Sequence, residues 1–258
     1  MNNKVSSINL VLDDYKKAFK NFNYWKFNAE VETKIKYRRS FLGPFWYTMS
    51  VLVIILGISF LSKHILTESK FGLPYLISGI VFWFYIKNTI EDSCLLFEIL
   101  SPQIRNESIP ISSYIFYNYY KNLIIFLHNI VLLFPLFFMG ININLLILLF
   151  GFIILSIIVF FVSNIVAILC GKFRDIVPIV QNLITILFFI TPIWWQPKEI
   201  GLLIKINPVY YLINLVREPL ILGTLSLEVL LVSLSILIFV IILNFFVFSR
   251  AIKRITLW

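Results

Sequence analysis

Charge is scarce in this sequence. Asp, Glu, Lys and Arg together make up 14% of 258 residues, against 60% hydrophobic residues and a mean hydropathy of +0.91. So little charge cannot coat a globule in water, which excludes a soluble domain. Cysteine is nearly absent. Cys94 and Cys170 both fall near the ends of apolar runs, where they are expected to stay reduced, forming neither a disulfide nor a metal site. His64 and His128 are isolated, and no His/Cys/carboxylate cluster has ligand spacing. There is no phosphate loop either: Gly171-Lys172 is followed by Phe173, and Val166 stands where the first glycine would be needed. No chain of acids or histidines runs through the middles of the apolar runs, as a proton relay requires. The sequence therefore carries no energy source of its own, and neither catalytic residues nor a cofactor is expected in it. No repeat at solenoid spacing or inverted repeat of broken runs is present.

Long apolar runs are what the sequence does have. Residues 41–61, 73–90, 122–139, 145–169, 176–195 and 229–248 each meet or approach the roughly 20 residues needed to cross about 30 Å of hydrocarbon. The first begins only near residue 41 and is span-length, so no cleavable signal peptide is expected. The basic residues are unevenly placed. Residues 1–40 hold nine, and Arg105, Lys172, Arg174, Arg250, Lys253 and Arg254 bring that side of a six-span arrangement to fifteen. The opposite side has Lys63, Lys70, Lys198, Lys205 and Arg217, while Lys87 and Lys121 lie near run ends. This excess puts both termini in the cytoplasm. Orientation alone accounts for the basic balance, so no nucleic-acid partner is expected. The expectation is an all-α membrane protein: a cytoplasmic amphipathic interfacial segment (1–40) and a six-helix transmembrane domain (41–258).

The front segment reads as a helix lying on the membrane. Ile8, Val11, Leu12, Tyr15, Phe19, Phe22 and Trp25 form one apolar stripe, and Asp13, Asp14, Lys16, Lys17, Lys20 and Asn21 occupy much of the rest. Packing on a soluble partner is the alternative. Two connections are long. The inner one, 91–113, carries Glu91, Asp92, Glu98, Arg105 and Glu107 with Pro102 and Pro110 as breakers, and is a natural docking element. The outer one, 196–228, contains two apolar stretches, 200–206 and 210–222, too short to span. Runs of that length favour re-entrant or interfacial helices.

Four local patterns stand out. Tyr37-Arg38-Arg39-Ser40-Phe41-Leu42-Gly43-Pro44-Phe45-Trp46 opens the first run; paired arginines can clamp a phosphate with forked donors, and Gly43-Pro44 turns sharply into the helix. Positive-inside anchoring with an interfacial Trp explains the same residues. Gly171-Lys172-Phe173-Arg174-Asp175 is a short charged turn. Thr191-Pro192-Ile193-Trp194-Trp195 ends the fifth run with two rings suited to a membrane belt or an exit lining. Asn207-Pro208-Val209-Tyr210-Tyr211, followed by Arg217-Glu218-Pro219, lies in the outer connection.

In this order, over nearly the whole chain, these patterns resemble the permease subunits of ATP-binding-cassette exporters for polysaccharides, with wording nearest the O-antigen exporters. One departure is that many relatives place a proline soon after the tryptophan, where this chain has Tyr47-Thr48-Met49-Ser50. The resemblance implies a homodimer in a bacterial inner membrane with two cytoplasmic ATPase subunits, which would bind the ATP and Mg. It implies an undecaprenyl-diphosphate-linked glycan as cargo, moved without covalent chemistry. Arg38, Arg39, Leu42, Gly43 and Trp46 would then meet the headgroup. Glu98, Arg105 and Glu107 would lie in the ATPase-coupling segment, and Phe173, Arg174 and Asp175 in a cytoplasmic turn. Trp194, Trp195, Tyr210 and Tyr211 would serve the outer gate and channel. Aromatic residues reach 17%, and ring faces can stack on sugars without one fixed register. A capsule, teichoic-acid or small-molecule exporter of the same superfamily, and a channel or membrane enzyme without an ATPase, are the competing readings.

Overall fold

A computed structural model describes residues 7–36, 38, 40–41, 43, 45–65, 72–100, 109–197 and 199–252. The described residues form helices and no strands. Two front helices, α1 (Ser7–Lys20) and α2 (Phe22–Lys36), precede α3 (Phe45–Ile65), α4 (Gly72–Cys94) and a single turn, α5 (Leu96–Ile99). Then come α6 (Ile111–Asn129), α7 (Leu145–Lys172), α8 (Ile176–Ile190), α9 (Leu202–Ile206), α10 (Pro208–Ile221) and α11 (Leu227–Ala251).

Three helical stretches are long and apolar enough to cross a membrane: Ile111–Phe138, Leu145–Lys172 and Leu227–Ala251. The chain is membrane-embedded on that basis. Helix α8 has only fifteen residues and the apolar part of α3 stops at Leu61, so both are shorter. Helix α4 is long, but Lys87, Asn88, Glu91 and Asp92 dilute its second half. It is nonetheless well enclosed, with Leu76–Phe82 continuously buried among α3, α6, α7, α8 and α10. Its neighbours cover it on all sides, so it needs no strongly apolar lipid face.

The stretch after α6 tightens into a 3-10 helix, Ile130–Phe138, with Pro135 inside it. Proline has no N–H to donate and its ring crowds the carbonyl four residues back, which breaks the α-helical ladder there. This element starts at Ile111, eleven residues before the apolar run that announced it, because its first turns, with Ser112, Ser113, Tyr114, Tyr117 and Asn118, are buried and the helix packs on α2 and α4.

The front segment is two helices instead of one. The Trp25 indole donates to the Ala18 carbonyl at 3.0 Å, claiming the acceptor that would continue α1 through Phe22, and the chain bends at Asn21. The stripe divides accordingly. Val11, Trp25 and Ala29 are buried in a second core with α5, the start of α6 and the ends of α7 and α11. Ile8, Leu12, Phe19 and Phe22 stay exposed. The front helices thus pack on their own bundle and keep a separate apolar edge outside.

Candidate functional site

Two of the four sequence patterns converge at the end of the bundle remote from the front helices. Asn207 caps α10: its side-chain oxygen accepts from the Val209 amide at 3.0 Å, and Pro208 follows at the first helical position, where a missing N–H costs nothing. The same Asn207 donates through its side-chain nitrogen to the Thr191 hydroxyl at 2.7 Å. The Asn-Pro and Thr-Pro-Ile patterns are therefore two halves of one junction.

Arg217 completes it. Nearly three turns along α10, its guanidinium donates to the Pro192 carbonyl at 2.9 Å and to the Ile193 carbonyl at 2.8 Å. The Tyr75 ring lies flat beneath it, 3.7 Å from the guanidinium carbon, and the Tyr75 hydroxyl also donates to the Pro192 carbonyl at 2.9 Å. Gly79 makes room: a Cβ there would overlap both the Arg217 guanidinium and the Ile193 carbonyl. Arg217 is 3% exposed, and among the described residues no carboxylate forms an ion pair with it. Sequence reasoning counted Arg217 among outer surface charges. The signal that marked it was an arginine inside an otherwise apolar stretch, which is costly in a membrane-embedded chain unless function or packing holds it.

Beside this junction lies a cavity of about 210 Å³, lined by Tyr75, Gln196, Tyr210, Asn214, Arg217 and Glu218 among others. Tyr210 belongs to this lining, whereas Tyr211 turns inward and donates to Glu228 at 3.4 Å. The Trp195 indole donates to the Phe189 carbonyl at 3.1 Å, and the Trp194 nitrogen is buried without a hydrogen-bond partner.

At the opposite end, Arg174 and Glu98 approach to 3.7 Å, joining α5 to the turn between α7 and α8. Both are well exposed, at 84% and 55%, and Phe173 and Asp175 beside them are exposed too. An ion pair so wet adds little stability, so this is a displayed surface. Arg105 and Glu107, from the same connection, lie outside the described residues. So do Arg39 and Leu42 at the head of α3. Arg38 is exposed in a turn, Gly43 has φ +58° with its amide donating to the Ser40 hydroxyl at 3.1 Å, and Trp46 is exposed. The left-handed backbone at Gly43 fits the sharp turn read from Gly43-Pro44.

Between the front helices and the bundle sit two polar nodes the sequence did not disclose. Lys121 pairs with Asp92 at 3.1 Å and Glu32 at 3.5 Å, tying α6 to α4 and α2. The Tyr15 hydroxyl accepts from the Asn164 side chain and donates to the Asn244 oxygen at 2.9 Å, tying α1 to α7 and α11. Burial pushes the Tyr15 phenol far above its ordinary value, so it stays protonated and able to donate. Asp14 accepts from the Ile111 and Ser112 amides at 3.0 and 2.8 Å, so a front-helix carboxylate caps α6. Cys94 and Cys170 are both free and buried, near one another at the ends of α4 and α7.

No family model matches the chain and no curated protein matches it.

Proposed function

We propose that this chain is the membrane subunit of an ATP-driven exporter that moves a lipid-linked polysaccharide, of O-antigen type, out across a bacterial inner membrane. In this reading α3, α4, α6 with its 3-10 extension, α7, α8 and α11 cross the bilayer, and α9 and α10 re-enter from the outer face. The Arg174–Glu98 surface faces the cytoplasm. The observation that carries the reading is the joining of α5 and the α7–α8 turn into one exposed, charged surface at the end where the front helices pack. A chain without a phosphate loop needs such a surface to receive work from an ATPase. Two ATPase subunits dock there and bind the nucleotide and Mg.

A second feature supports two copies around a conduit. Helix α8 exposes Gln181 and Asn182 among exposed Ile179, Leu183, Ile186 and Phe189. Amide side chains are poor neighbours for hydrocarbon, so this face meets water or a second copy. The undecaprenyl-diphosphate headgroup of the cargo enters beside Arg38, Arg39 and the Gly43 turn, where Trp46 meets the lipid boundary. The front helices rest their exposed Ile8, Leu12, Phe19 and Phe22 edge on the membrane.

Charge reversal at the cytoplasmic surface tests this. Arg174→Glu should leave the protein folded, since the pair is solvated, yet abolish stimulation of ATP hydrolysis by cargo in the reconstituted complex. Arg38→Gln with Arg39→Gln should block export while the ATPase still assembles. Failure of the purified chain to associate with any nucleotide-hydrolysing subunit from its own cells would overturn the reading.

A further inference from the structure

We infer that the cavity beside Arg217 is a binding site for a phosphate group. The inference stands on a buried charge and does not depend on the export reading.

An arginine guanidinium has five N–H donors in one plane. Two are used on the Pro192 and Ile193 carbonyls, which leaves three. Nε is buried without a partner, so the side edge that pairs Nε–H with an Nη–H carries an unused donor. That edge has the forked geometry that grips a phosphate or carboxylate through two parallel bonds. One face of the guanidinium is covered by the Tyr75 ring, so a ligand must reach it from elsewhere.

The electrostatics point the same way. A cation taken out of water without a counter-ion is costly, and two carbonyl dipoles do not neutralise it. The cavity is wide enough for a phosphate and supplies more polar groups. Asn214 stands one turn before Arg217 on the same helix face, and Gln196 brings a side-chain oxygen that is buried without a partner. One carboxylate, Glu218, also borders the cavity. It makes no ion pair with Arg217, and its oxygens accept from the Ser226 amide at 2.8 Å and hydroxyl at 3.2 Å. It acts as a like charge that weakens the site.

The source of the phosphate is either a lipid headgroup or a free anion, and the test separates them. The full chain, purified in neutral detergent at constant ionic strength, is titrated with inorganic phosphate while its thermal midpoint is followed. In parallel, phosphatidylglycerol is titrated into the same phosphate-free neutral detergent micelles. A saturable rise with inorganic phosphate supports a site open to free anions, and a rise confined to phosphatidylglycerol supports a headgroup site. Two variants probe the cavity without removing the arginine that clamps the turn. Asn214→Asp supplies an internal counter-ion: the midpoint without ligand should rise and the apparent affinity fall by roughly tenfold or more. Glu218→Gln removes the like charge and should tighten binding. The inference is overturned if neither phosphate source stabilises the protein, or if the rise is unsaturable and equal in all variants, as a general salt effect would be. A rise with neutral glucose that Glu218→Gln abolishes would also overturn it, because it would mark a sugar site.

Discussion

Removing one oxygen should loosen the front helices. In Tyr15→Phe the ring keeps its neighbours Phe116, Phe160, Phe161, Phe245 and Phe248, whose centroids lie 5.6 to 6.5 Å away. What goes is the hydroxyl that bridges Asn164 and Asn244, both fully buried. Side-chain hydrogen bonds between helices in membranes average about 0.6 kcal/mol each, so two lost bonds give about 1 kcal/mol. If both amides stay buried and unpaired, the desolvation penalty raises this to roughly 3 kcal/mol. The docked state of α1 should then weaken by between about fivefold and about a hundredfold. Limited proteolysis within residues 7–36, in detergent of fixed composition, reads this as a faster cleavage rate with unchanged sites. Adding Asn164→Leu and Asn244→Leu removes the stranded groups and should recover most of the loss, since removing both partners is far cheaper than removing one. If Tyr15→Phe is cleaved at the wild-type rate while Tyr15→Ala is cleaved much faster, ring packing alone holds the helix and the polar node is idle.

Gly79→Ala places a methyl into the Ile193 carbonyl and the Arg217 guanidinium, one of which is backbone and cannot swing aside. It should cost about 1–3 kcal/mol in thermal unfolding, and an unchanged midpoint would show that the Arg217 junction is looser than described. Mild oxidation should join Cys94 to Cys170, because their thiols are neighbours at the ends of α4 and α7. The two alkylatable thiols should disappear together, and Cys94→Ser should leave Cys170 alkylatable. Persistence of both in the wild type would mean the helix ends are not adjacent.

Much of the architecture was readable in the chain because lipid imposes a coarse rule. Backbone groups must be satisfied within each helix and apolar faces must meet hydrocarbon, so run length and composition announce the elements. The short helices Leu202–Ile206 and Pro208–Ile221 fall where short apolar stretches stood. Helix α6 was misplaced by eleven residues, because its polar first turns are buried by protein and not by lipid. The bend at Asn21 left no local trace, since it comes from an indole reaching back seven residues to Ala18.

The candidate sites divide along the same line. Sequence alone determined that the protein lives in a membrane, holds no recognisable fuel-binding loop, and carries Thr-Pro-Ile, Asn-Pro and Arg-Glu-Pro patterns along its second half. Only the tertiary structure decided that these three meet, with Asn207 on Thr191 and Arg217 on the carbonyls of Pro192 and Ile193. It also turned Arg217 from an outer surface charge into a buried one. The reason is physical. Hydropathy is a property of single residues and survives in the string, whereas a hydrogen bond between residues sixteen or twenty-five positions apart exists only once the chain has brought them together.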